Sequence, residues 1–340
     1  MFAVIDSGTT NSRIYLVDEQ RNIVASSTKK VGVRDTAITG SRETLRSGLK
    51  ELFFELLAQE GVDEKEVKFA IASGMITSEI GLMELPHLTA PVGLCELSEH
   101  IYKCTDPNVL PIPCPLYFVR GVRNCYRKDA QITDLCDIDF MRGEEVQCIG
   151  IMEQLHPSLP CTIVVLSSHT KIIFCDENKK IVSSKTTLSG QLREALLEAT
   201  NIGKSFESEP GEEAYGYSFE TLVDTAYDCV GRDGIIRALL MPRFMQVLLK
   251  TDAWERKVFT DAIIAADDMK AFFAMKAQGY LANTIILFGH ETRCHMYKNL
   301  LQKKVGVTGE ILEIYDKGTI GKLTVDGAIA VAEKIIEKED

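Results

Sequence analysis

The sequence predicts an α/β protein of two similar domains, each opening on a three-stranded β-meander and continuing into helices. Three observations predict it. At 340 residues the chain is longer than one hydrophobic core usually serves, so length favours two domains. Short β-rich runs bounded by turn residues alternate with longer segments of helical period. The segment Asp18-Glu19-Gln20-Arg21-Asn22-Ile23-Val24-Ala25-Ser26 also aligns, without a gap, with Asp176-Glu177-Asn178-Lys179-Lys180-Ile181-Val182-Ser183-Ser184. That match reads as an internal repeat of the meander. The expected domains are 1–155 and 156–340, with His156-Pro157 and Leu159-Pro160 interrupting any helix between them.

In the first copy, Phe2 to Ile5 is a strand, Ile14 to Val17 a second, and Ile23 to Thr28 a third. The loop between the first two carries a carboxylate, a glycine and a row of hydroxyls. Asp6, at a strand end, suits a divalent cation held directly or through water. Gly8 lets the backbone approach a phosphate, to which N–H and hydroxyl groups can donate. An ordinary hairpin with a polar turn is the plainer alternative. No G-x-G-x-x-G occurs here, and a strand follows the loop, so this is not a dinucleotide fingerprint. Ser41 is the expected N-cap of a helix over 42–59, whose Leu45, Leu49, Leu52, Phe53, Leu56 and Leu57 share one face; Gly61 ends it. Val67 to Ala72 is a strand running into Ser73-Gly74-Met75-Ile76-Thr77-Ser78. A proline-punctuated section follows, with a short strand at Leu116 to Val119 and a polar loop over 129–139. A helix starts at Glu144, with Glu144 and Glu145 in the first turn, as the helix dipole favours.

In the second copy, Ile163 to Leu166 is a strand, Ser167-Ser168-His169-Thr170 a small polar loop, Lys171 to Cys175 a strand, and Ile181 to Thr186 a third. Leu166 stands where Asp6 stood. The rest is mainly helical: a helix over 190–200, an acidic loop over 206–216, and helices from about Phe219, Asp233 and Ala253. Thr284 to Gly289 is a buried type of strand leading through His290 to another helix. A strand over 309–315, a loop over 316–321 and a last helix complete the chain, with Ala328, Ala330, Val331 and Ile335 turned inward.

Lys and Arg number 38 against 49 Asp and Glu, a net charge of −11, and no long basic stripe offsets it. A nucleic-acid role is therefore disfavoured. No apolar run approaches ~18 residues, so no membrane span is expected, and no secretory signal is read at the N-terminus. The ten cysteines are scattered without a C-x-x-C pair, which suggests reduced thiols in a cytoplasm. Cys294-His295 has no partner at ligand spacing, which argues against structural zinc.

Two repeated domains, each starting with a hairpin whose loop points at a shared interdomain cleft, resemble the actin-like ATPase (ribonuclease H-like) superfamily, which includes sugar kinases, actin and the large heat-shock chaperones. Four motifs resemble one family within it, the 2-keto-3-deoxygalactonate kinases. They are Asp6-x-Gly8-x-Thr10-Asn11-x-Arg13, Gly74-Met75-x-x-Ser78, Met141-Arg142-Gly143-Glu144-Glu145-x-Gln147-x-Ile149-Gly150, and His169-x-Lys171. The third is the most distinctive, and order and spacing hold from Ala3 to about Ile335. Ser7 replaces an expected tryptophan, Gln191 a glutamate, and Gly289-His290 a more glycine-like turn.

The resemblance implies ATP, Mg²⁺ and a small-molecule sugar acid as ligands, with transfer of the γ-phosphate to the 6-hydroxyl of 2-keto-3-deoxygalactonate in galactonate catabolism. It implies Glu144 as general base, with Glu145 the less favoured choice, and Asp6 as the residue organising Mg²⁺. Gly8, Thr9, Thr10 and Asn11, with Ser168 and Thr170, would bind phosphate, and Gly289 would mark the adenosine turn. Lys171 or Arg13 would offset charge on the transferring group. His169 would donate to phosphate or brace its loop. Arg142 and Ser78 would hold the substrate carboxylate. A homodimer is left open. Rival readings are a kinase of the same fold for another sugar or sugar acid, an ATPase without a sugar substrate, and a non-catalytic sugar-acid sensor.

Overall fold

The computed structural model describes residues 1–208 and 216–339, with side chains as far as 333. The acidic loop expected over 206–216 therefore falls largely outside the described residues, as does the side chain of Ile335.

The chain opens with β1 (Phe2–Ser7), β2 (Ser12–Val17) and β3 (Ile23–Lys29), then α1 (Val33–Thr39), α2 (Glu43–Glu60) and β4 (Ala70–Gly74). Next come β5 (Leu88–Thr89), α3 (Leu94–Glu99), β6 (Tyr102–Cys104), β7 (Leu116–Phe118), β8 (Val122–Arg123), β9 (Phe140–Met141) and α4 (Glu144–Leu155). The second meander is β10 (Cys161–Leu166), β11 (Thr170–Cys175) and β12 (Ile181–Thr187), followed by α5 (Ser189–Ala199). Helices α6 (Phe219–Asp233), α7 (Ile235–Ala238), α8 (Met241–Phe244) and α9 (Ala253–Ala277) precede β13 (Thr284–Gly289) and α10 (Glu291–Leu300). The chain ends with β14 (Ile311–Ile314) and α11 (Lys317–Glu339). No described helix is long and apolar enough to cross a membrane.

Two compact units result, and neither is one stretch of chain. The first comprises Met1–Leu159, Cys175–Ser184 and Lys317–Asp340; the second comprises Pro160–Phe174 and Lys185–Asp316. The units therefore differ from the 1–155 and 156–340 division of the sequence, because the last helix and the turn between β11 and β12 belong with the first unit. The loop expected over 316–321 is a correction too: α11 begins at Lys317. Glycines at 318 and 321 suggested a loop, but Gly321 serves packing. A Cβ there would lie 3.3 Å from the Tyr15 hydroxyl oxygen.

In the first unit the sheet order is β3-β2-β1-β4-β7-β6. β1 runs antiparallel to β2 and parallel to β4, which in turn runs parallel to β7. Ala3, Ile5, Ile14 and Leu16 of this sheet pack with Leu45, Leu49, Leu52, Phe53 and Leu56 of α2 in one apolar core. That helix is the one its periodicity predicted, closed at Gly61 in the left-handed conformation. Ser41 accepts the Glu43 N–H at 3.2 Å, but Arg42 is the N-cap. In the second unit the order is β12-β11-β10-β13-β14, with β10 parallel to β13 and β13 parallel to β14. Helices α6, α9 and α10 supply most of its apolar core.

The two sheets share the order third–second–first–fourth strand, and the repeat extends to single hydrogen bonds. Asp18 accepts the N–H of Asn22 through Oδ1 at 2.8 Å, and Arg21 turns the chain at φ +67°. Asp176 accepts the N–H of Lys180 through Oδ1 at 2.9 Å, and Lys179 turns at φ +61°. The aligned nonapeptides thus fold as the same aspartate-closed turn.

Candidate functional site

The residues expected to be functional are distributed over both units, and each unit builds its own set. In the first, β1 carries Asp6 to the sheet's end, where it pairs across the hairpin with Arg13 and stands level with Ser73 of β4. Ser7 is fully buried, its hydroxyl bonded to that of Ser12 at 2.9 Å, and Ser12 donates to the Val31 carbonyl at 2.8 Å. Those bonds explain the serine at position 7: it ties the loop's two stems together. The loop is then clamped from outside by α1, which the sequence reading missed. The N–H groups of Val33 and Arg34 donate to the carbonyls of Gly8 (3.3 Å) and Thr9 (2.9 Å). Gly32 permits this approach, since a Cβ there would fall 2.4 Å from the Thr9 carbonyl oxygen. Asp35, accepting the Gly32 N–H at 2.9 Å, is the local signal that marks this helix start. Thr9 and Thr10 are half-buried, and Asn11 is exposed.

Two further backbones converge on the end of β1. Gly74 sits at φ +93°, where a Cβ would lie 2.5 Å from the Ser7 carbonyl oxygen. Gly143 sits at φ +108°, where a Cβ would lie 3.2 Å from the Gly74 Cα. Only glycine allows this succession of contacts. It delivers the first turn of α4 to Asp6, and the Glu144 carboxylate is close enough to raise the Asp6 pKa. Burial is the larger cause of that rise, Arg13 at 3.6 Å opposes it, and 22% of the Asp6 side chain stays open. Glu144 is half-buried, while Glu145 is fully buried and accepts the Gly143 N–H with both carboxylate oxygens, at 2.9 and 2.8 Å. Burial first, and then the Glu144 charge, push the Glu145 carboxyl up to about 8.

The residues expected to hold a substrate carboxylate are engaged elsewhere. Ser78 is buried and donates to the Met75 carbonyl at 2.7 Å. Arg142 donates to the Thr77 hydroxyl (2.9 Å) and the Leu85 carbonyl (2.8 Å), and Thr77 donates to the Gly74 carbonyl at 3.2 Å. Arg142 thus braces the Gly74 turn, and burial lowers its pKa.

In the second unit, the loop after β10 is tight, the Ser167 N–H donating to the His169 carbonyl at 3.2 Å. Ser167 and Ser168 are exposed, His169 half-buried, and the Ser168 hydroxyl lies 3.3 Å from His169 Nδ1. As in the first unit, a helix start clamps the loop: Gln191 N–H donates to the Ser168 carbonyl at 2.8 Å, and a Cβ on Gly190 would lie 2.2 Å from the Ser167 carbonyl oxygen. Gly289, level with Leu166, repeats Gly74: its Cβ would lie 2.6 Å from the Leu166 carbonyl oxygen. Thr170 and Lys171, expected at phosphate, are instead buried. The Thr170 hydroxyl is bonded to Tyr297 at 3.1 Å and accepts from Arg293 at 2.9 Å; Lys171 donates to Thr186 at 2.7 Å. They begin β11, which is buried on both faces at this end. Arg293, absent from the sequence reading, also donates to the Ser167 carbonyl at 2.7 Å. Its only sequence signal was a position in the first turn of the helix after β13. Behind the loop, Ser189 and Tyr297 both donate to the buried Asp268.

Comparison with known proteins places this architecture. A proposed 2-dehydro-3-deoxygalactonokinase from Sinorhizobium meliloti has the same fold, at a TM-score of 0.72 and 18% identity over 98% of this chain and 97% of that one. The activator of 2-hydroxyisocaproyl-CoA dehydratase from Clostridium difficile, solved with bound ADPNP, matches at a TM-score of 0.48 and 14% identity, over 100% and 97%. No protein of curated function matches the sequence. The sequence model of the 2-keto-3-deoxy-galactonokinase family matches residues 6–320, which takes in the Asp6 loop, the Gly143-Glu144 turn, both clamping helices and Gly289. The chain therefore belongs to the 2-keto-3-deoxy-galactonokinase family, and it is a sugar-acid kinase.

Proposed function

We propose that the protein transfers the γ-phosphate of ATP to the 6-hydroxyl of 2-keto-3-deoxygalactonate, with Glu144 as general base. The observation that carries the base assignment is the contrast between adjacent acids. Glu144 is partly open and lies within electrostatic reach of Asp6, whereas Glu145 is buried and its raised pKa keeps it protonated at neutral pH. Two carboxyl groups whose environments separate them in this way take different roles. Glu144 accepts the proton of the attacking hydroxyl; that oxygen bonds to the γ-phosphorus as the bond to the β-phosphate oxygen breaks, and ADP leaves.

The carboxylate chemistry at Asp6 fits Mg²⁺, a hard cation that binds oxygen ligands through one or two carboxylates together with substrate phosphates. The buried Ser73 hydroxyl, level with Asp6 and without a hydrogen-bond partner among the described residues, adds an oxygen that a hydrated ion could engage. Bound there, Mg²⁺ would neutralise phosphate charge. The Gly8–Asn11 loop, clamped by α1, and the Ser167–His169 loop, clamped by α5, offer amides and hydroxyls for phosphate oxygens. Arg13 remains the exposed cation beside Asp6.

ADP release measured with 2-keto-3-deoxygalactonate and a panel of other sugar acids tests the substrate. Turnover with the galactonate compound well above the rest is expected. A second reading, a kinase of this fold for a different sugar acid, draws on the internal hydrogen bonds of Ser78 and Arg142, and it prevails if another panel member is preferred. Glu144→Gln is expected to lower kcat by about 10²–10⁴-fold while ATP still binds; full turnover in that variant would remove Glu144 from the role. Asp6→Asn is expected to raise the Mg²⁺ concentration needed for half-maximal rate, and an unchanged requirement counts against the metal assignment.

A further inference from the structure

The α4 start contains a group that phosphoryl transfer itself does not use. Glu145 is fully buried and makes no ion pair among the described residues, and both its oxygens accept the Gly143 N–H. Gly143 needs restraint. Its φ of +108° and ψ of −40° lie outside the regions that L-residues favour, and glycine has the most backbone freedom to lose. Its bare Cα face rests on Gly74, and Gly74 rests on the Ser7 carbonyl. A change in the Gly143 torsions would therefore swing the next residue, Glu144, relative to Asp6. The charged groups that face Glu145 are Glu144 and Arg142, and neither replaces the amide contact.

We infer that Glu145 is a positioning residue whose carboxyl grips the Gly143 amide and so fixes the turn that aims Glu144. This rests on Glu144 being the base, and the test separates the two. Kinetics of the full chain would be measured for Glu145→Gln, Glu145→Ala, Glu145→Met and Glu144→Gln, each at a temperature where circular dichroism shows it folded. Glu145→Gln keeps a carbonyl oxygen for the Gly143 N–H, and its kcat is expected close to that of the unaltered protein. Glu145→Ala and the volume-filling Glu145→Met lack the acceptor; each is expected to lose about 10²-fold in kcat, as for a reacting group misplaced by ~1 Å, with KM for ATP unchanged. The inference is overturned if Glu145→Met turns over normally while Glu144→Gln is inactive. It is equally overturned if Glu145→Gln is as inactive as Glu144→Gln, because the carboxylate would then take part in the chemistry. Full turnover in Glu144→Gln would remove the base assignment instead.

Discussion

Asp6, Glu144 and Glu145 bring three carboxyl groups to the end of one strand and the start of one helix, and burial sorts them. A carboxyl raised from 4.5 to about 8 holds its proton in the folded chain where the unfolded chain has released it. Its contribution to stability is thus full below pH ~4.5 and is lost as the pH rises to about 8. Glu145→Gln does not titrate, so its stability relative to the unaltered protein should improve from pH 5 to pH 8. Urea unfolding at both pH values checks this, and a constant difference would mean that Glu145 is not held protonated. A second residue-scale expectation concerns the buried serine pair. Ser12→Ala strands the Ser7 hydroxyl and the Val31 carbonyl, so it should cost ~1–3 kcal/mol in the same measurement.

At the scale of elements, legibility followed locality. The turn closed by Asp18 is written within five residues, and so is its copy at Asp176; a sequence comparison found both. Helix α2 announced itself through a continuous apolar face. Helix α1 did not, because seven residues rich in β-branched side chains give no periodic signal. Its task is to hold the Gly8 and Thr9 carbonyls, which depends on Gly32 meeting Thr9 from across the intervening hairpin, and no local pattern records that. The carboxyl pair at α4 was visible, but the choice between them came from family resemblance and then from burial. The strand after the second loop was legible to within one residue, beginning at Thr170 where the sequence placed Lys171. The second loop's own supports can be tested. Arg293→Ala removes a donor from the Ser167 carbonyl and from the Thr170 hydroxyl, so KM for ATP should rise with kcat little changed. An unaltered KM would show that the loop holds its shape without the guanidinium.

For the whole molecule, the decisive fact is that the chain returns. A fragment ending at 155 would lack α11, which packs along α4, and the β11–β12 turn, whose Lys180 pairs with Glu96 at 2.5 Å and whose Ser184 is held by Asn124 at 2.8 Å. Such a fragment is expected to show no cooperative unfolding transition, although the sequence made it look like a natural domain. Recovery of that transition when residues 317–340 are fused to it through a flexible linker would identify the helix as the missing part.

That helix meets α4 at a crossing built from absent side chains. A Cβ on Gly150 would lie 1.9 Å from the Leu323 carbonyl oxygen, and one on Gly327 would lie 2.0 Å from that of Val146. Backbone against backbone, the joint works as a keyway: α4 can neither slide nor roll without displacing its partner. Glu144 is six residues from Gly150 on the same rod, ~9 Å along its axis. A single methyl group at the keyway would therefore act as a wedge felt at Glu144. In a survey of tolerated substitutions along this chain, positions 150 and 327 should stand out as sharply as the acid they hold in place.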